Sequence, residues 1–407
     1  MKCRHCKEEL INKFLDLSFA PPSNAYLNKS DLNKPETYFP LKVMVCHNCW
    51  LVQTEDYNNP DDLFNAEYAY FSSTSSTFLD HALSYVDQIT TKLELNQSSL
   101  VYELASNDGY LLKNFLTKKI PCIGVEPTLS TAEASEKLGI KNIKEFFGAN
   151  LALELSKKEG KADLIIGNNV YAHVPDINDF TLGMKYLLKE SGTITLEFPH
   201  LLKLIKFSQF DTIYHEHYSY LSLIAVQSIF NKVGLKIYDV EELSTHGGSL
   251  RVYGCHLTDD KDISSRFKRI LDDEFKYGLN TLEAYKNFQG KAKKIKFDLL
   301  EFLIEKKSKG KVIAAYGAAA KGNTLLNFSG IKSDLIDYVC DAAEAKQNKY
   351  MPGSHIKIVH PKNLLKEPPD YLLILPWNIA HEVISQNKEL KDKGTIFLKA
   401  VPSLEIL

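Results

Sequence analysis

Apolar residues fall in short blocks through the middle of the chain, each block closed by polar residues. Leu100–Leu104 is strand-like and runs through a polar turn, Ala105-Ser106-Asn107-Asp108-Gly109, into a helical pattern. A second block, Cys122–Val125, ends on Glu126, and a third, Ala162–Gly167, ends on Asn168-Asn169. A helix over 178–189, a Ser191-Gly192 turn and a strand over 193–198 follow. This is the spacing of β-α-β units in a parallel sheet, whose ligands sit at the carboxyl ends of the strands. Before it, residues 78–95 read as a helix. After it, His246-Gly247-Gly248 turns into another strand, and 263–308 reads as an amphipathic helical connector. Lys311–Gly317 then opens a second parallel-sheet unit, continued by strands at 335–340, 371–375 and 395–400.

The chain has 407 residues, enough for two or three domains, and 44% are hydrophobic. The pattern divides it into an α/β protein of three parts: 1–66, 67–255 and 256–407. Net charge is −2, which gives no support for a nucleic-acid or membrane partner. No stretch approaches the ~20 apolar residues of a membrane span, and residues 1–20 lack a signal-peptide pattern. A cytoplasmic protein, expected to be a monomer, fits best. Four of the seven cysteines form two Cys-x-x-Cys knuckles, Cys3/Cys6 and Cys46/Cys49. Two knuckles place four thiolates around one structural zinc ion and leave no open position for catalysis. His5 and His47, inside the knuckles, are alternative ligands. The long gap between knuckles requires an inserted excursion, and Pro21-Pro22 and Pro35 suit an irregular loop. The aromatic and hydroxyl-rich stretch around Tyr68, Tyr70 and Ser72–Thr77 is either a surface linker or a lid that touches ligand.

The first turn narrows the cofactor. A dinucleotide turn wants Gly-x-Gly-x-x-Gly so that pyrophosphate approaches the backbone. Here the turn has one glycine and two acids, which suits the cationic sulfonium and amino groups of S-adenosylmethionine better. It resembles motif I of class I methyltransferases in a glycine-poor form. Glu103, Ser106, Asn107 and Gly109 are the candidate cofactor residues of this turn. Glu126 is placed to hold ribose hydroxyls, and Asn168 and Asn169 close the third strand. His173, just after that strand, stands where this fold faces the transferred methyl.

Asp211–Tyr220 concentrates two histidines, one glutamate and three tyrosines, in a chain with 12 histidines in all. Methylating carbon requires a base to remove a C–H proton and donors to hold the resulting enolate. His217 or His215 is the candidate base, Tyr214 a donor and Glu216 an orienter of an imidazole; chemistry alone does not choose between the histidines. Arg251, after the glycine turn, is a candidate contact for a polar group of substrate. Lys321, at a helix start, is a candidate for phosphate.

Taken in order, the Cys-x-x-Cys pair, Glu-Leu-Ala-Ser-Asn-Asp-Gly (103–109), Asn-Asn-Val-Tyr-Ala-His-Val-Pro-Asp (168–176), Tyr-His-Glu-His-Tyr-Ser-Tyr (214–220), His-Gly-Gly-Ser-Leu-Arg (246–251) and Gly-x-x-x-Lys-Gly-Asn (317–323) carry a resemblance over nearly the whole chain. They resemble the zinc-containing nucleotide-sugar C-methyltransferases, which act on dTDP-linked 4-keto deoxysugars in branched-sugar biosynthesis. The resemblance implies that methyl enters at C-3 and that His217 takes the C-3 proton. It implies that Tyr214 holds the enolate, that Glu216 and His173 support, and that Tyr68 is an active-site tyrosine. It also implies that the third domain, through Lys321 and Asn323, grips the nucleotide diphosphate, with Tyr70 among the substrate contacts. Two readings compete: a zinc-ribbon RNA methyltransferase, which predicts a basic face, and a catalytically inactive zinc-stabilised binding protein.

Overall fold

A computed structural model describes residues 1–55, 72–74 and 76–407 of the chain. Three sheets organise them. The first is antiparallel and contains β1 (Asn12–Ala20), β2 (Phe39–Val45) and β3 (Val52–Thr54). Its fourth strand comes from far along the chain: Ser219–Tyr220 pairs with β3, Val52 opposite Tyr220 and Gln53 opposite Ser219. The gap between the knuckles is therefore filled by β1, β2 and the Pro21-Pro22 loop that joins them.

The middle sheet contains β4 (Val101–Leu104), β5 (Cys122–Val125), β6 (Lys141–Ile143), β7 (Ala162–Asn168) and β8 (Leu188–Pro199). With Ser219–Tyr220 numbered β9, it is completed by β10 (Leu235–Leu243) and β11 (Ser249–His256). Its order is β10-β11-β8-β7-β4-β5-β6. The strands from β8 to β6 are parallel, while β11 runs antiparallel to both neighbours. Strand order reverses between β4 and β7, so a crevice opens at their carboxyl ends. Side chains alternate across the sheet as the pleat requires. Tyr102, Leu104 and Ile165 pack on one face, with the helices Ile177–Leu187 and Leu223–Val233. Val101, Leu164 and Ile166 pack on the other, with the helix Ser76–Lys92.

The third sheet contains β12 (Ile313–Tyr316), β13 (Tyr338–Cys340), β14 (Ile358–Val359), β15 (Tyr371–Ile374), β16 (Ile396–Lys399) and β17 (Glu405–Ile406). Its order is β14-β13-β12-β15-β16-β17, parallel except for the last pair. The region expected to be a connector is packed into both neighbouring cores, Phe267 and Ile270 with the middle sheet and its second helix with the third. It forms helices Ser265–Tyr277 and Phe288–Ser308, separated at Gly278, whose φ of 88° ends the first. The second helix buries Phe288, Ala292, Ile295, Leu299 and Leu303 at helical spacing in a cluster shared with β1, β2 and β12. Among the described residues, no helix is long and apolar enough to cross a membrane.

The four knuckle cysteines converge, their sulfurs all within 4.8 Å of one another. Cys3–Cys49 and Cys6–Cys46 are each 3.5 Å apart. Four thiolates at ~2.3 Å from one tetrahedral zinc would lie ~3.8 Å apart, so the cluster fits the ion closely. Gln53 Nε2 donates to Cys3 Sγ at 3.2 Å, a support for a ligating sulfur. Neither histidine joins the cluster. His47 is exposed, and the His5 ring bonds to Asn178 Oδ1 at 2.8 Å and Ser228 Oγ at 3.1 Å. Cys46→Ser should lose the bound zinc and lower stability on the order of 4 kcal/mol, read by metal analysis and denaturant unfolding.

Candidate active site

A cavity of about 700 Å³ opens at the carboxyl ends of the middle sheet and reaches the third sheet. Asn107, Glu126, Asn168, Asn169, His173, Tyr214, Glu216, His217, His246 and Lys321 all line it. Segments far apart in the sequence thus meet in one space.

On the sheet side, the turn after β4 bends through residues with positive φ, Ala105 at 57° and Asn107 at 50°. This aims the Asn107 N–H at Glu126 Oε2, 3.0 Å away, while Thr128 N donates to Oε1 at 2.8 Å. The Glu126 carboxylate is thereby fixed at the end of β5, with lone pairs left over for ribose hydroxyls. At the end of β7, Asn168 Oδ1 and both polar atoms of the Asn169 side chain are buried and meet no partner among the described residues. A buried amide is costly unless satisfied, so this is where ligand donors and acceptors are wanted. Ser72 N donates to Asn107 Oδ1 at 2.9 Å and Ser73 N to Asp108 Oδ2 at 3.1 Å. Ser72 and Ser73 of the hydroxyl-rich stretch therefore lie against the turn after β4. Tyr68 and Tyr70 lie outside the described residues.

On the other side, Asp211–Tyr220 is buried. His217 Nδ1 is 2.8 Å from the Thr212 carbonyl oxygen. A carbonyl only accepts, so Nδ1 carries the hydrogen and, in the neutral ring, Nε2 keeps its lone pair. The ring packs 4.0 Å from Tyr214 and 4.6 Å from His173, centroid to centroid. Burial and the neighbouring His173 hold His217 well below the usual imidazole range, so the neutral ring persists at pH 7. Burial also lowers His173, to about 4, and raises the Glu216 carboxyl to about 7 against a hydrogen bond from Asn24. His215 faces elsewhere: its Nε2 lies 3.3 Å and 3.2 Å from the carbonyls of Phe39 and Pro40, and it does not line the cavity.

Five expected contacts are not brought to the cavity wall. Glu103 is 1% exposed and sits within the sheet, where burial, Asp108 and Glu126 push its carboxyl upward and favour the protonated form. Ser106 is fully buried against Gly124, where an added Cβ would fall 2.4 Å from Ser106 Oγ. Gly109 is demanded by packing: with φ 78°, an added Cβ would meet Ile140 Cδ1 at 2.5 Å and Ser135 Oγ at 2.8 Å. Arg251 is 3% exposed, paired with Glu197 at 2.9 Å and Glu241 at 3.3 Å, and lies over the Tyr85 ring. Asn323 is 1% exposed, and its Nδ2 donates to the Ser23 carbonyl at 2.6 Å. Lys321 does line the cavity, with Nζ 3.0 Å from Asn378 Oδ1 and 4.8 Å from the Trp377 ring centre.

Sequence reasoning missed two cavity residues, Asn24 and His246. Asn24 donates to both Glu216 oxygens, at 2.7 Å and 2.9 Å, from a proline-rich loop that gave no hint of a partner. His246, with φ 54° on the hairpin tip, turns a buried Nε2 without partner among the described residues toward the cavity region. Its place in the His-Gly-Gly-Ser-Leu-Arg motif was the one available sign.

Together, the strand order, the cofactor crevice and the four-cysteine cluster define an S-adenosylmethionine-dependent methyltransferase of class I fold with a zinc-binding N-terminal unit. Comparison with known families agrees along the chain. Residues 3–64 match a family described as a zinc binding domain, 78–240 a methyltransferase domain, and 244–402 a C-methyltransferase C-terminal domain. C-methyltransferase NovU of Streptomyces niveus is 32% identical over 406 residues, covering 100% of this chain and 96% of that one. The chain belongs to the zinc-containing, S-adenosylmethionine-dependent C-methyltransferase family. Solved structures overlay in part only. A methyltransferase from Anabaena variabilis is 16% identical, covering 49% of this chain and 96% of its own, with a TM-score of 0.38. The magnesium protoporphyrin IX methyltransferase of Synechocystis is 14% identical, covering 50% and 100%, with a TM-score of 0.35.

The Arg251 network makes a distinct prediction. Arg251→Met leaves the buried Glu197 carboxylate short of a cation and should cost about 3–5 kcal/mol in urea unfolding. Substrate KM should change little in whatever enzyme remains folded.

Proposed function

We propose that the enzyme methylates C-3 of a dTDP-linked 4-keto deoxysugar through an enolate, with His217 as the base. The observation that carries this reading is the fixed tautomer of His217 in the cavity that also holds the cofactor strand ends. S-adenosylmethionine, when bound, supplies an electrophilic methyl. Oxygen or nitrogen could receive it with little help, but carbon requires the proton to leave first. His217 Nε2 takes the C-3 proton, and the electron pair of the broken C–H bond moves toward the C-4 ketone. Tyr214, packed beside the imidazole, is placed to hold the enolate oxygen. The proton turns His217 into a buried imidazolium, which its surroundings in the empty protein disfavour. An ionised Glu216 carboxylate in the same cavity supplies the charge that offsets it, with His173 tied to the Glu216 main chain. The enolate electron pair would then form the C–C bond at C-3 as the methyl–sulfur bond breaks and leaves a neutral thioether.

The third domain suits the nucleotide part of such a substrate. Helix Ala320–Ser329 points its first turn at the cavity, with Ala319, Ala320 and Lys321 in the wall. Main-chain N–H groups at a helix start and one cationic side chain form an anion site that fits a diphosphate. Asn168, Asn169, Asn107 and Glu126 would hold the methyl donor. On this reading the middle sheet holds the methyl donor and the third sheet the nucleotide part of the sugar.

Incubation with a dTDP-4-keto-6-deoxyhexose in D₂O should put deuterium at C-3, and adding S-adenosylmethionine should give a product heavier by one methylene. His217→Asn should lower both by ~10²–10⁴-fold, the usual scale for a general base. His215→Asn should keep C-3 exchange. Mass spectrometry that finds neither deuterium nor methyl across several 4-keto sugars would overturn the assignment.

A further inference from the structure

The group that fixes Glu216 comes from the N-terminal unit, 192 residues earlier in the chain. Asn24 stands in the loop joining β1 to β2, between the two halves of the cysteine cluster. Its Nδ2 reaches both oxygens of the Glu216 carboxyl, and both residues line the cavity. The loop is itself tied to the third sheet. Asn323 Nδ2 donates to the Ser23 carbonyl, and the Tyr26 hydroxyl donates to the Ala318 carbonyl at 2.5 Å. Ala318 and Asn323 bracket the Ala319–Lys321 turn in the cavity wall.

An amide NH₂ only donates, so it stabilises a carboxylate and offers nothing to the proton of a carboxylic acid. We propose that Asn24 is a positioning residue that holds the Glu216 carboxylate ionised and in place in the cavity wall. This rests on the reading of Glu216 as the charge that offsets the His217 imidazolium. Tyr26, on the same loop as Asn24, and His173, after β7, interact with Glu216, and the titratable groups Tyr214, His217, His246, Lys321 and Lys346 share the cavity wall with it. Burial raises Glu216, and the Asn24 amide is the one group that pulls it back, to about 7. Without that donor the carboxyl rises further, and the ionised fraction at neutral pH falls. Asn323 acts on Glu216 through Ser23 and the loop, with no direct contact to the cavity.

The test compares Asn24→Leu, which keeps the volume and removes the donor, with Asn24→Ser, which keeps a smaller donor, and with Glu216→Gln. The acidic limb of kcat/KM against pH, measured with a dTDP-4-keto-6-deoxyhexose, should move up on the order of one pH unit in Asn24→Leu and less in Asn24→Ser. At pH 7 this is roughly a five-fold loss for the leucine variant. S-adenosylhomocysteine affinity and zinc content should stay at wild-type values, which separates the shift from misfolding. Glu216→Gln should abolish the limb. A limb that stays in place in Asn24→Leu while Glu216→Gln removes it overturns the role of Asn24 alone. A Glu216→Gln enzyme with the wild-type limb overturns the role of Glu216 and, with it, that of Asn24. Infrared titration of the protonated carboxyl band in the free enzyme needs no substrate. It should show the band assigned by Glu216→Gln persisting to higher pH in Asn24→Leu, and an unchanged midpoint refutes the proposal even if the sugar has been misassigned.

Discussion

The structure depends on burying ten residues, Asp211–Tyr220, that are rich in groups water would rather keep. Each polar atom taken from solvent there needs a partner or costs free energy. No single unit supplies them all. From the N-terminal sheet, Thr54 N donates to the Tyr218 carbonyl and Thr54 Oγ1 to the His217 carbonyl. From the third sheet, Thr324 Oγ1 donates to the Ile213 carbonyl at 2.8 Å and Trp377 Nε1 to Asp211 Oδ2 at 2.7 Å. The segment bonds to itself at Thr212 and His217. Surfaces from the N-terminal sheet and the third sheet must both close on it before its backbone is satisfied, so packing the units together and building the site go together.

That burial also sets the charge state of the empty site. His217, His173 and His246 are all pushed down and Glu216 is pushed up. The cavity therefore carries less charge at neutral pH than its residue list suggests, which limits the cost of holding these groups together without ligand. A cationic methyl donor brings charge into this low-dielectric space, where it is felt strongly. Lys321 fits this view, since burial lowers its ammonium while Asp211 opposes the change.

Much of the fold was legible because it is written locally. Buried strands of a parallel sheet read as apolar blocks, β5 and β7 ending at Glu126 and at Asn168-Asn169, and β4 running into the turn at Ala105-Ser106. Cysteine knuckles have few other uses at that spacing. Illegible features depended on contacts between distant segments. Nothing near Arg251 announces that Glu197, on the neighbouring strand β8, will bury it. Gly109 and Ser106 look like cofactor residues because they share a turn with one, yet their neighbours are Ile140, Ser135 and Gly124. Asn323 sits two residues from Lys321, but on a helix two positions turn the side chain to another face, here toward Ser23. Asn24 and Glu216 are 192 residues apart, and no local pattern couples them.

The same contacts tie the zinc-binding unit to the buried segment Asp211–Tyr220. β3 is three residues long and pairs with a strand of two, Ser219–Tyr220. Ladders this short are marginal without support from elsewhere. Support comes from the knuckle that precedes β3 and from Gln53, which is held at both ends. Its Oε1 accepts from Arg4 N at 2.8 Å, its Nε2 donates to Cys3 Sγ, and its main chain pairs with Ser219. The ladder that ends at Tyr220 starts beside His217, whose carbonyl is bound by Thr54, the next residue of β3. Fixing the cysteines thus fixes Gln53 and Thr54, and these set the backbone from which the His217 imidazole projects. Zinc held by these cysteines, outside the cavity, would thus bear on where the His217 imidazole stands.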